Sequence, residues 1–258
     1  LTLSIETLGS GPSLVLLHGW AMHAGLFAPL SERLRKRYRL HLVDLPGHGH
    51  SHDSRVPLQL PALAQAVAAQ VPERAVWLGW SLGGLVALQA ARQFPQRLRG
   101  LAMLCATPRF VRGDDWPQGM PAEIFQGFAD DLETDYRATL DRFLMLEAQG
   151  SDHMREELRL LRDQVYARGE PPPQTLRDGL ALLQQSDLRD GVATLAMPSL
   201  WLAGRRDRLV SPVAMRAAAE RAANARFVEI AHGGHAPFLT HADAVAAAVD
   251  AFLAGLAA

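Results

Sequence analysis

The chain has 258 residues, enough for one large domain or one domain carrying an insertion. Hydrophobic residues make up 48% of it, ordinary for a sizeable core, and a formal net charge of −1 excludes a general attraction to nucleic acid or anionic lipid. No apolar run approaches bilayer-crossing length, and the single cysteine, Cys105, excludes an intrachain disulfide; a soluble, cytoplasmic protein, taken as a monomer, is expected.

Leu1 to Glu6 reads as a strand rather than a signal peptide. Leu14-Val15-Leu16-Leu17 is the first buried strand, followed by a helical stretch from about Leu26 to Arg37. Arg39 to Val43 is the next strand, and Asp44 to Gly49 is a turn-rich loop. Leu58 to Val71 has a helical pattern with Pro61 near its first turn. Ala75 to Leu78 is a strand, Leu85 to Ala91 a helix and Leu98 to Leu104 a strand. Cys105, directly after that run, reads as a buried small residue. Further on, Ser199 to Ala203 and Arg226 to Ile230 are strands, followed by helices from about Pro212 and Ala242. Strands alternating with helices predict an α/β fold, with a mostly parallel sheet covered on both faces.

The segment 112–187 breaks the alternation. Phe125, Phe128 and Leu132 share one helical face, Leu140, Phe143 and Leu144 a second, and Met154, Leu158, Leu161 and Val165 a third. Pro171-Pro172-Pro173 marks a rigid turn between helices. The expected organisation is a core of 1–111 and 188–258 with a helical cap, 112–187, inserted before the last strands. Ligand sites in such folds lie beyond the carboxyl ends of the strands, where insertions gather.

Gly79-Trp80-Ser81-Leu82-Gly83 has the form G-x-S-x-G between a strand and a helix. That arrangement is a nucleophile elbow: a strained turn lifts the serine hydroxyl clear of the sheet, and glycines let strand and helix approach closely. Ser81 needs a base. His235, in the loop after the last predicted strand, is preferred to His232, three residues earlier. Asp207, directly after the strand Ser199 to Ala203, is the acid expected to orient that imidazole; its competing role is an ion pair with Arg205, Arg206 or Arg208. The oxyanion donors expected are the backbone N–H of Leu82, after the nucleophile, and of Trp20, in the loop after Leu17. His48, His50, His52 and Asp53 form a tract that could take zinc adventitiously, but there is no H-E-x-x-H, no cysteine ligand cluster and no G-x-G-x-x-G after a strand. No metal or cofactor is expected.

The segments Leu16 to Trp20, Leu42 to Gly47, Trp77 to Ala87, Asp115-Trp116-Pro117, Arg142-Phe143-Leu144 and His235 to Phe238 together resemble the α/β-hydrolase family. More narrowly, the chain is similar to the biotin-pathway carboxylesterases that demethylate pimeloyl-acyl-carrier-protein methyl ester. Tryptophan on both the Gly19-Trp20 loop and the elbow is far more specific than G-x-S-x-G alone. The resemblance implies the Ser81, Asp207, His235 triad, a carrier-protein-bound methyl ester as substrate, and substrate contacts at Trp20, Leu82, His235 and the stretch Phe143, Leu144, Met145, Leu146 and Glu147. It also implies that Arg137, Arg142, Arg155, Arg159 and Arg162 receive an acidic carrier protein. Against this, 114–178 holds 15 acidic residues and 7 arginines, so these cations can simply pair within the cap. Two departures bear on specificity: Glu147 stands where the resemblance implies a neutral glutamine, and Gly233-Gly234 where it implies alanines. Competing expectations are a general carboxylesterase, a carbon–carbon bond hydrolase of the same fold, or a non-catalytic receptor for a small ligand.

Overall fold

The computed structural model describes residues 2–256. In chain order the elements are β1 (Ile5–Leu8), β2 (Ser13–Leu17), α1 (Ala28–Leu34), β3 (Arg39–Val43), α2 (Leu60–Ala68), β4 (Ala75–Trp80), α3 (Leu82–Gln93) and β5 (Leu98–Leu104). Then come α4 (Ala122–Thr134), α5 (Tyr136–Ala148), α6 (Met154–Val165) and α7 (Pro173–Gln185). The chain ends with β6 (Ser199–Gly204), α8 (Pro212–Ala219), β7 (Ala225–Ile230), α9 (Pro237–Thr240) and α10 (Ala242–Gly255).

The sheet order is β1-β3-β2-β4-β5-β6-β7. Only β1 runs antiparallel, against β3; every other pairing is parallel. The inner strands β4 and β6 are buried along their whole length, which is why they read as continuous apolar runs rather than alternating ones. Parallel strands deliver all their carboxyl ends to one edge. The loops after β2, β4, β6 and β7 therefore emerge together, and they carry Trp20, Ser81, Asp207 and His235.

The four helices α4 to α7 lie between β5 and β6 in sequence and pack over that edge. The Trp20 indole N–H donates to the Leu176 carbonyl of α7 at 2.8 Å, and its ring sits 4.4 Å from Phe143 of α5. Phe128 of α4 meets the same Phe143 edge-on at 5.3 Å. Trp20 thus ties α5 and α7 to the sheet edge, and Phe143 links α4 to the same cluster.

Some boundaries depart from the sequence reading. The first strand begins at Ile5, and Leu1 lies outside the described residues. The α1 region opens with a 3-10 turn, Ala24–Phe27, because the His23 side chain caps Gly25 and starts the turn early. Helix α2 is shorter than 58–71 at both ends; Pro61 fixes its first turn. Residues 112–121 contain no helix; isolated bridges join Val111 to Met120 and Gly113 to Trp116. On α6 the buried face is Glu157, Leu161 and Val165, while Met154 is 44% exposed. A carboxylate is tolerated on that face because Glu157 finds hydroxyl partners there: Ser151 and Thr240 both donate to its Oε1.

Candidate active site

Ser81 follows β4 and caps α3 with φ 54° and ψ −120°, in the left-handed region where only glycine is unstrained. The surrounding glycines are required by contact. A Cβ on Gly79 would lie 2.2 Å from the Gly83 carbonyl oxygen, and one on Gly83 would lie 2.3 Å from the Leu17 carbonyl oxygen. Strand, elbow and helix therefore close on one another at backbone distance, and the turn is held in its strained form by packing on both sides.

The Ser81 Oγ lies 2.9 Å from His235 Nε2, and His235 Nδ1 lies 2.8 Å from Asp207 Oδ2. The other carboxylate oxygen, Oδ1, accepts from the Leu209 and Val210 N–H groups at 2.8 and 2.9 Å. Asp207 accepts a hydrogen bond from the Nδ1–H, which leaves the Nε2 lone pair facing the serine hydroxyl. All three side chains are buried. Burial alone would lower the His235 pKa; the charge and hydrogen bond of Asp207 outweigh it and hold the imidazole above its ordinary value. The His235 backbone is fixed as well: its carbonyl accepts from the Trp80 indole N–H at 2.8 Å, and its N–H donates to the Glu147 carbonyl at 3.4 Å.

The two expected oxyanion donors lie beside the serine. Leu82 is the first residue of α3, where backbone N–H groups have no partner within the helix. The loop bearing Trp20 presses against the elbow: a Cβ on Gly19 would stand 3.1 Å from Ser81 Cβ. His18, which the sequence reading did not single out, shapes that loop. Its Nδ1 bonds the Gly19 carbonyl at 2.8 Å and its Nε2 accepts from the Leu45 N–H at 2.8 Å. Burial, with His48 adding, pushes its pKa down to about 3, so it stays neutral and serves as a brace. Asp44 was also missed. Its carboxylate accepts from the Ala24 and His50 N–H groups and from Arg168. Burial would raise that carboxyl, but His18, these N–H donors and Arg168 outweigh it and hold it low. Position at the end of a strand, beside the oxyanion loop, is the signal that could have found both.

His232 stands apart from the serine, 60% exposed, with its Nδ1 3.8 Å from Asp152. Asp207 makes no ion pair with Arg205, Arg206 or Arg208 among the described residues; its partner is His235. Cys105 is buried, and burial together with the Asp207 charge pushes its thiol well above the ordinary value, so it is no rival nucleophile. His48, His50, His52 and Asp53 do not bring three ligand atoms together among the described residues.

Of the stretch 143–147, Phe143, Leu144 and Glu147 are buried and Leu146 is half-buried. Met145 does not join them: it points outward, 43% exposed, because it falls on the far side of α5. Both carboxylate oxygens of Glu147 are buried without a hydrogen-bond partner. Burial pushes this carboxyl up to about 8, so near neutrality it is an uncharged acid. The apparent gain of charge at that position is thereby cancelled by its surroundings. The arginines are mostly engaged. Arg137 pairs with Glu170, Arg142 with Asp131, Arg159 with Asp163 and Arg162 with Asp141; Arg155 has no ion-pair partner among the described residues.

A serine on an elbow, an imidazole and a buried carboxylate, met in that chain order at one edge of a parallel sheet, define an α/β-hydrolase. The family model for the alpha/beta hydrolase fold matches residues 12–242, and the chain belongs to that family. It is 60% identical over 252 residues to the pimeloyl-acyl-carrier-protein methyl ester esterase of Xanthomonas campestris pv. campestris (strain B100), covering 98% of this chain and 99% of that one. The enzyme of the same name from Stenotrophomonas maltophilia (strain R551-3) is 57% identical, covering 98% and 96%. Such identity over nearly whole chains places the protein in the same family of carboxylic ester hydrolases. Among solved structures, the bromoperoxidase from Bacillus anthracis shares the fold with a TM-score of 0.88 at 21% identity, covering 97% of this chain and 95% of that one. No helix among the described residues is long and apolar enough to cross a membrane.

Proposed function

We propose that this chain hydrolyses the methyl ester of pimeloyl-acyl-carrier protein, freeing the pimeloyl carboxylate in biotin synthesis. The observation that carries the reading is the Ser81–His235–Asp207 relay, buried beneath α5 and α7, in a chain 60% identical to esterases of that name. His235 Nε2 takes the Ser81 proton as Oγ attacks the ester carbonyl. The Leu82 and Trp20 N–H groups hold the oxyanion. Methanol leaves with the proton from His235, and water then releases the acid by the same route. Phe143, Leu144 and the uncharged Glu147 wall the acyl chain.

The helices α4 to α7 act as a cap that receives the carrier. Among the described residues, four of the five exposed large apolar side chains, Ile124, Met145, Met154 and Tyr166, lie on this segment, among Arg137, Arg142, Arg155, Arg159 and Arg162. An acidic carrier must displace the intrachain partners of four of these arginines, whereas Arg155 is free to meet it. Outside the cap only Val213 is an exposed large apolar residue among the described residues, which fits a monomer. A single buried thiol fits the reducing cytoplasm.

The test compares wild type, Ser81→Ala and the pair Arg155→Glu/Arg159→Glu on two substrates: the carrier-bound pimeloyl methyl ester and a short p-nitrophenyl ester. Ser81→Ala should lose both activities. The arginine variant should lose turnover of the carrier-bound ester and keep the small one. Wild-type cleavage of the small ester alone would make this a general carboxylesterase, and equal losses in the arginine variant would remove the docking role.

A further inference from the structure

Four side chains that the ester chemistry does not use gather where the cap meets the loop carrying His235. Asp152 and His153 end the connection from α5 to α6, His232 precedes His235, and His241 follows α9. Asp152 Oδ1 lies 3.2 Å from His241 Nε2 and 3.8 Å from His153 Nε2. Its other oxygen lies 3.8 Å from His232 Nδ1. One ligand atom from each of Asp152, His153 and His241 falls within 4.8 Å of the other two. A tetrahedral zinc ion holds its ligands at about 2.0–2.1 Å, which sets neighbouring ligand atoms about 3.3 Å apart. The distances of 3.2 and 3.8 Å straddle that spacing, and His153 is exposed enough to turn in and close it.

The hydrogen bonds behind His241 give it the tautomer a metal needs. The Thr240 hydroxyl donates to Glu157 Oε1 at 2.5 Å, so its oxygen is left to accept from His241 Nδ1–H at 3.0 Å. The Ser151 hydroxyl donates to the same Glu157 oxygen at 2.7 Å. With the proton on Nδ1, the Nε2 lone pair faces the Asp152 carboxylate at 3.2 Å. Two acceptors at that distance repel unless a cation lies between them. A carboxylate–hydroxyl–imidazole chain is also how metal-bound histidines are commonly oriented.

We propose that Asp152, His153 and His241 bind a borderline transition-metal dication, zinc above all, with water or His232 as the fourth ligand. The ion would clasp the cap to His241, at the end of the segment 232–241 that carries His235. Two imidazoles in the set favour zinc over magnesium or calcium. The ligands come from opposite sides of β6 and β7 in sequence, which is why no spacing motif announces them.

The test titrates zinc into chelator-treated protein against a chromophoric zinc indicator and follows the melting temperature. Wild type should take one zinc per chain and melt higher with zinc than without it. His153→Ala and His241→Ala should each weaken binding by at least about tenfold, and Thr240→Val, which removes only the orienting hydroxyl, should weaken it as well. His153 is exposed, so its variant reports on the site without disturbing the fold. Ser81→Ala and the pair His50→Ala/His52→Ala should bind as wild type does, and excess magnesium should not compete. Unchanged affinity in both His153→Ala and His241→Ala, or loss of binding in His50→Ala/His52→Ala, would overturn the assignment. So would a wild-type protein that does not compete with the indicator.

Discussion

Replacing Glu147 with glutamine tests the electrostatics of the site directly. Glu147 is fully buried on α5, and neither carboxylate oxygen has a partner. Burial moves its pKa from 4.5 to about 8. Below 4.5 the carboxyl is protonated in the folded and unfolded chain alike, and the site is neutral to pH. Between 4.5 and about 8 the unfolded chain releases the proton while the folded one keeps it, so stability falls as pH rises. Each pH unit is equivalent to about 1.4 kcal/mol, so the full window amounts to about 5 kcal/mol as an upper bound. Above about 8 both states are ionised and the loss is complete. Glu147→Gln keeps the shape and removes the titration. The variant should therefore gain on wild type steadily across this window. Urea unfolding of both proteins at several pH values between 4.5 and about 8 measures the difference, in which titrating groups remote from residue 147 cancel. Parallel stability curves, or a wild type that gains on the variant as pH rises, would refute the reasoning. Because the native acid is neutral near pH 7, the variant should keep its esterase activity.

The kcat/KM profile should rise with pH as His235 loses its proton, and its midpoint should lie above 6.5, because Asp207 holds that imidazole above its ordinary value; a midpoint at or below 6.5 contradicts this. Asp207→Asn should lower kcat by about 10³–10⁴ with little change in fold, since the wrong His235 tautomer would face Ser81; circular dichroism checks the fold and burst kinetics the acylation step. Gly79→Ala sets a methyl 2.2 Å from a backbone oxygen that cannot move aside, and should lower stability by about 3 kcal/mol or more, read as an earlier urea midpoint. Phe143→Ala removes the ring that joins α5 to Trp20 and Phe128 and should cost about 3–5 kcal/mol. Melting temperature measures that loss, and an unchanged value would show that the cap does not rest on this contact.

The amino-acid sequence by itself determined the alternation of strands and helices, the elbow and the chain order of serine, acid and histidine. These are local: apolar runs report strands buried on both faces, and glycines report backbone that must touch backbone. Three of the four inserted helices, α4 to α6, were equally legible as helices, since each shows an apolar face of period 3.6; α7 was marked only by the proline turn before it. Only the tertiary structure decided which histidine reaches Ser81. His232 and His235 share a loop and a composition, and their separation follows from how Trp80 and Glu147 grip the backbone at 235. The same holds for Glu147, whose charge state is set by what surrounds it and not by its own chemistry. It holds for Glu157 on α6 too, where the Ser151 hydroxyl and that of Thr240, 83 residues away, make a buried carboxylate tolerable. Periodicity records which face of an element is apolar. Which polar groups find partners across the fold depends on contacts between residues far apart in the chain, and no window of sequence contains them.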